Sequence, residues 1–255
     1  MNSPQRSTHT PLFSGGAQHR GFFLIFLFTF LFPLVPIAPA ANLTQLQSLI
    51  SQLGSDDPRL REIALGDLMD LKRSDLPLLR AAALSQSPLL PGQIAGLRDV
   101  VVQVFLAGEN FTVDPNDPRA FLGIQFMIDP EGEGVRVVDR IQGFPAYRYL
   151  QSGDVIVRLI DRPGLRIHTQ DDFLDAIMLF GPGEALRLAI LRNGRSLTVS
   201  VPLDFRPVAI TNSPADEDWI QARRQRAEAY WNQQFSIVDP DAAPSTGQVS
   251  TSQEP

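Results

Sequence analysis

A chain of 255 residues, 44% hydrophobic and 20% charged, has enough apolar material for a packed core, which excludes a wholly disordered polymer. Its 28 acidic and 22 basic side chains give a formal charge of −6. Setting aside the N-terminal segment that carries Arg6 and Arg20 makes the remainder more acidic still, so no nucleic-acid partner is expected. There is no cysteine, so the fold owes nothing to disulfides and a lipid-modified N-terminal cysteine is excluded.

Residues 1–41 read as an export signal rather than as part of the fold. A polar stretch ending at Arg20 precedes the apolar run 21–37, and Ala38, Pro39, Ala40 and Ala41 form a small-residue exit, with cleavage expected near Ala40 or Ala41. The run is slightly short of the roughly 20 residues a membrane span needs. Pro33 and Pro36 also interrupt its end. The expected location is periplasmic or extracellular. The alternative is an uncleaved N-terminal anchor with the rest facing outward, the one case in which a membrane is a partner.

From Asn42 the apolar period is helical, and 42–106 is expected to be an all-α region. Leu43, Leu46, Leu49, Ile50 and Leu53 form one stripe that Gly54 ends. Pro58 opens a second helix with the stripe Leu60, Ile63, Ala64, Leu68 and Leu71. Ser74 and Asp75 introduce a third over 76–84, and Pro88 and Pro91 bound a fourth that reaches about Phe105. Residues 53–84 resemble a single HEAT-like helical hairpin, with Ala81, Ala82 and Ala83 before Leu84 where that pattern has two alanines. One repeat cannot bury its own face, so a four-helix cap packed on itself is expected. A dedicated partner-binding groove in this region is the alternative.

Residues 107–119 read as a linker rich in turn formers. The period then changes to alternation, with a strand over 121–128, a turn, and a second strand over 135–141. Glu131 and Glu133 in that turn offer too few oxygen ligands for a metal, and neither metal nor cofactor is expected. A short helical turn over 146–150 is followed by an apolar strand over 154–161. A helix over 170–180 carries Phe173, Leu174, Ile177 and Met178 at helical spacing. A hairpin of 185–192 and 196–203 turns at Asn193-Gly194. A last helix over 216–235 places Ile220, Ala227 and Trp231 on one face, expected to dock on the body, with an exposed aromatic partner site as the alternative. Residues 236–255 read as a disordered tail. The fold class is α+β: a helical region, a partly open β-barrel or sandwich with two helices, and a C-terminal helix.

Five motifs in order carry a family resemblance. Phe121-Leu122-Gly123-Ile124 resembles an apolar-Gly-apolar carboxylate loop, and Gly143-Phe144-Pro145-Ala146 resembles a Gly-x-Pro-Ala lead into a short helix. Leu150, Gly153, Asp154 and Ile156 fit a Leu-x-x-Gly-Asp-x-Ile pattern; Asp175-Ala176-Ile177 and Leu191-Arg192-Asn193-Gly194 complete the set. Together they resemble a PDZ domain of the bacterial, protease-associated type over 120–204, about a third of the chain. The resemblance implies a peptide groove whose site residues are Phe121, Leu122, Gly123, Ile124, Phe126, Gln170, Leu174, Ile177 and Met178. The amides of Leu122, Gly123 and Ile124 would hold a terminal carboxylate, and the peptide would add as a strand beside 123–128. Gln170 departs from the histidine that some members use to select a hydroxyl, so free, apolar C-termini are the expected partners. A purely structural module of the same fold, acting as a scaffold, is the second reading.

Relatives of this type are often proteases, but no catalytic residue is expected here. Beyond residue 41 the single histidine is His168, inside the module, and the single lysine is Lys72, in the helical hairpin without a nucleophile loop beside it. No nucleophile-elbow, zinc-helix or phosphate-loop motif is present.

Overall fold

The computed structural model describes residues 42–132, 134–211 and 215–238. Residues 1–41, read above as an export signal, and residues 133, 212–214 and 239–255, the last being most of the expected tail, lie outside the described residues. Asn42 caps α1 (Leu43–Leu53) by accepting the Gln45 amide at 2.7 Å, and Asp57 caps α2 (Pro58–Leu68) by accepting that of Arg59 at 2.8 Å. Proline also stands in the first turn of α3 (Leu76–Ser85) and α4 (Pro91–Ala107), where its missing N–H leaves no helical bond unmade. These helices share a core containing Leu46, Ile50, Leu68, Leu79, Leu97 and Val101.

The stripe expected on α2 is only partly buried. Ala64 and Leu68 lie in the core, but Leu60 is 43% exposed and Ile63 56%. The reason is geometric: residues 58–63 are all exposed, so the first turns of α2 stand clear of the core that its last turn enters. The C-terminal helix α7 (Ala215–Gln234) supplies what a lone helical repeat lacks. Its Ala227 and Trp231, with Phe235 and Val238 beyond it, are buried in the same core. The face expected for α7 thus docks, while Ile220, nearer its start, reaches elsewhere. Ser236–Val238 form a 3-10 turn that closes on this core instead of beginning a tail.

The second layer is a five-stranded antiparallel sheet in the order β2 (Ile124–Ile128), β3 (Val135–Arg140), β4 (Val155–Leu159), β5 (Ala185–Arg192), β6 (Arg195–Pro202). Asn193 (φ 52°) and Gly194 (φ 72°) make the tight left-handed turn between β5 and β6. Short helices α5 (Ala146–Tyr149) and α6 (Gln170–Met178) accompany the sheet, whose core includes Val137, Leu150, Ile156, Phe173 and Leu188. The single strand expected over 121–128 is two. Gly123 (φ 77°) breaks it, and the first piece, β1 (Ala120–Phe121), leaves the sheet to pair with β7 (Asp204–Phe205). The fold is α+β, helices first, sheet second, helix last.

The two layers meet through polar side chains as well as apolar ones. The buried amide of Gln103 on α4 accepts the Gly143 N–H at 2.7 Å and donates to the Phe144 carbonyl at 3.2 Å. Arg148 on α5 pairs with Asp70 beyond α2, and the Tyr147 hydroxyl donates to Asp99 on α4. Burial, and then the Asp99 carboxylate, push the Tyr147 hydroxyl from 10.0 up to about 12. The folded state therefore favours the neutral phenol. Its contribution is complete below the unfolded value of 10.0 and is lost as pH rises through about 12. Difference absorbance between the wild-type chain and Tyr147→Phe should show one phenol ionising near the upper value, and alkaline urea melts should show the variant losing less stability across this window. A Tyr147 that ionises at the ordinary value would contradict the buried contact.

Candidate functional site

The site is built around the break at Gly123. A Cβ placed there would lie 2.3 Å from the Cβ of Phe144, so the backbone passes directly over a side chain that is itself fully buried. Phe144 meets Phe121 edge-on, with ring centroids 4.9 Å apart, and Phe111 at 5.8 Å. The loop thus lies directly over Phe144, which other aromatic rings hold in place.

Its amides are open. Gly123 gives its carbonyl to the Ile141 N–H at 2.8 Å, which fixes 123 and 141 as a hydrogen-bonded pair of the ladder. Alternation then aims the main chain of Ile124, Phe126 and Ile128 away from β3, off an edge of the sheet where β2 has no other strand neighbour among the described residues. Among the described residues no acceptor reaches the amides of Leu122 or Gly123. Three consecutive N–H groups, 122 to 124, are thus available beside an unpaired strand edge.

That edge lines a cleft of about 880 Å³ whose far wall is α6. All nine residues singled out from the sequence line it: Phe121, Leu122, Gly123, Ile124 and Phe126 from the strand side, and Gln170, Leu174, Ile177 and Met178 from the helix. Leu122, Ile124 and Ile177 are buried at its base, and Phe126 and Leu174 are half-buried above them. Phe126 rests edge-on against Phe173, 4.9 Å between centroids. Gln170 and Met178 are exposed at the rim. The start of α6 is fixed by a reciprocal cap. Asp172 accepts the His168 and Thr169 amides, each at 2.9 Å, while the Thr169 hydroxyl accepts the Asp172 N–H at 3.0 Å. Those bonds, with the His168 amide first, hold the Asp172 carboxyl below its ordinary value.

The structure adds lining residues that sequence reasoning passed over. Asp171 and Asp175 share a face of α6 with Leu174 and Met178, at i, i+3, i+4 and i+7, and this helical spacing could have found them. Arg119, Arg206 and Ile210 come from the segments flanking β1 and β7. Asp216, Glu217 and Ile220 belong to the first turns of α7, whose Glu217 accepts the Gln125 side-chain amide at 3.2 Å. No local signal placed that helix here. Among the described residues, no cluster of histidine and acidic side chains is arranged to hold a metal ion.

No known family's sequence model and no curated protein matches the chain. Solved structures similar in part include the HtrA-type protease AlgW with a decapeptide, at 20% identity and a TM-score of 0.31, over 44% of this chain and 35% of that one. AlgW with a tripeptide gives 22%, 0.30, 35% and 32% in the same order. A serine endoprotease from Yersinia pestis gives 22%, 0.29, 35% and 30%. The matches take in about a third of each neighbour's length, and likeness of this degree carries no argument about activity.

Two glycines separate the contributions to the loop. Gly123 combines a left-handed backbone with the Phe144 contact, whereas Gly153 (φ 93°) has nothing within 4 Å of an added Cβ. Gly153→Ala should cost about 1–2 kcal/mol, the left-handed term alone. Gly123→Ala should cost clearly more, measured by chemical denaturation. Equal losses would show that the loop is not held against Phe144.

Proposed function

We propose that residues 120–204 are a PDZ-type module that takes up an extended peptide as an added strand on β2, with the peptide's free C-terminus in the 122–124 loop. The observation that carries this reading is the set of three unengaged amides at Leu122, Gly123 and Ile124, placed at one end of a cleft that an open strand edge and α6 enclose. An apolar terminal side chain fits the base formed by Leu122, Ile124 and Ile177. The peptide main chain would satisfy the outward groups of Ile124, Phe126 and Ile128, which supplies affinity with little regard to sequence. Selectivity falls to the side chains that meet α6.

The chain is read as non-catalytic and exported. His168 stands at the cap of α6, and neither it nor Lys72 lines the cleft. The export reading rests on residues 1–41 alone. No helix of the described residues is long and apolar enough to cross a membrane.

A second reading, a scaffold or accessory subunit of an extracytoplasmic complex, draws support from one feature. Leu60 and Ile63 form an exposed apolar face on α2, where a stacked helical neighbour could pack. The aromatic alternative on α7 is weaker, because Trp231 is fully buried.

Panning a library of peptides with free C-termini against the full chain tests the main reading. The wild-type chain should enrich apolar C-termini, and Ile177→Arg, with unchanged circular dichroism, should not. Amidating a selected peptide should weaken it about tenfold or more, because hydrogen bonds to a charged acceptor are lost. Enrichment that survives both changes would sink the groove reading. A native complex that keeps Ile177→Arg but loses Leu60→Asp would favour the scaffold.

A further inference from the structure

The charged side chains that line the cleft are mostly acidic. Asp171, Asp175, Asp216 and Glu217 line it against two arginines, Arg119 and Arg206. Arg119 is already paired with Asp117, and both arginines stand in the segments around β1 and β7, away from α6. The α6 wall itself carries Asp171 and Asp175 one turn apart on the face they share with Leu174 and Met178.

Several other aspartates of the sheet layer have partners. Asp129, Asp154 and Asp161 are matched by Arg136, Arg192 and Arg187, and Asp172 caps its helix. Asp171 and Asp175 make no hydrogen bond or ion pair among the described residues. Like charges at i and i+4 repel and weaken the helix that carries them. Asp171 is partly excused by its place in the first turn, where the helix dipole favours an acid; Asp175 is not. Both face a strand edge from which the main chain of Ile124, Phe126 and Ile128 projects unpaired. The helix thus presents two exposed carboxylates to that edge, whose mutual repulsion an incoming cation would relieve.

We propose that the cleft selects extended segments carrying an arginine or lysine on the side that meets α6, seated between Asp171 and Asp175, in addition to an apolar end group. This rests on the peptide-cleft reading above. Side chains of a strand laid on β2 alternate between facing α6 and facing away. The basic residue therefore shares the parity of the apolar terminus and lies two or four positions before it. Both carboxylates are exposed, so the preference is modest and falls with salt.

The full chain should enrich, from a random octapeptide library with free C-termini, sequences with an apolar last residue and arginine or lysine at the second or fourth position upstream. D171N/D175N should lose the basic enrichment. For a selected peptide, replacing that arginine by glutamate should weaken binding to the wild-type chain about threefold to tenfold at low ionic strength. Raising the salt should narrow the difference, and D171N/D175N should nearly abolish it. Apolar termini enriched without any basic preference, or a basic preference of the wrong parity, would overturn the charge proposal and leave the cleft reading standing. Enrichment no better than that of the Ile177→Arg chain would overturn both.

Discussion

The guanidinium of Arg223 is only 2% exposed, and three separate parts of the chain converge on it. Its Nε donates to Glu109 at 2.8 Å, its Nη2 to the Leu106 carbonyl at 3.2 Å and its Nη1 to the Gln142 carbonyl at 3.1 Å. The same group lies over the rings of Phe144 and Trp219, at 5.0 and 4.6 Å. Burial lowers its pKa, and Glu109 offsets part of that effect. Burial pushes Glu109 up, but the hydrogen bonds from Arg223 and Arg226 outweigh it and hold the carboxyl below its ordinary value. A charge taken out of water costs several kcal/mol unless it is paired and its hydrogens are met. Here a carboxylate and two carbonyls meet them, one of the carbonyls being that of Leu106 at the end of α4, which also accepts the Glu109 N–H at 3.1 Å.

Because that charge sits at a junction, its partners tie distant segments together. Leu106 is in the last turn of α4, Gln142 follows β3, Glu109 lies in the stretch read as a linker, and Arg223 itself is on α7. Gly143 fits into the same corner, where an added Cβ would meet Arg223 and Leu106 at 2.6 and 2.7 Å. Phe144, next in sequence, supports the Gly123 loop from below while Gln103 holds its carbonyl. The helical layer and α7 therefore act as a brace behind the 122–124 amides. A loop fixed before a ligand arrives loses less freedom on binding, so on the proposed reading this brace favours affinity.

What could be read from the sequence follows from where each contact lies along the chain. The β5–β6 hairpin depends on adjacent residues, and Asn193-Gly194 announces it; the Thr169–Asp172 cap of α6 and the break at Gly123 are just as local, yet an alternating apolar pattern runs across 121–128 and reads as one strand. The cleft was legible because its two walls each carry a local pattern and the ordered motifs join them. The exposure of Leu60 and Ile63 was not, since a helical stripe tells which face is apolar but not how far the partner helices extend. Nor was the first turn of α7 at the cleft: Gln125 and Glu217 meet across 92 positions of sequence. Nothing in the sequence singled out the arginines at 223, 224 and 226. In the fold, Arg223 and Arg226 grip Glu109, and Arg224 donates to the Gln142 side chain.

The four N-terminal helices do not close their core alone, and here the chain completes it from its other end. Trp231 and Phe235 stack with centroids 5.1 Å apart inside the helical core, and Arg98 of α4 pairs with Glu228 of α7 at 2.6 Å. The same helix, continued toward its start, delivers Ile220 and Glu217 to the end of the cleft. One element thus completes the helical layer with its last turns and borders the cleft with its first, with Arg223 between them. Any force that shifts the C-terminal half of α7 in the core must move its first turns or break the buried ion pair. The stability of the helical layer and the shape of the cleft therefore depend on the same helix.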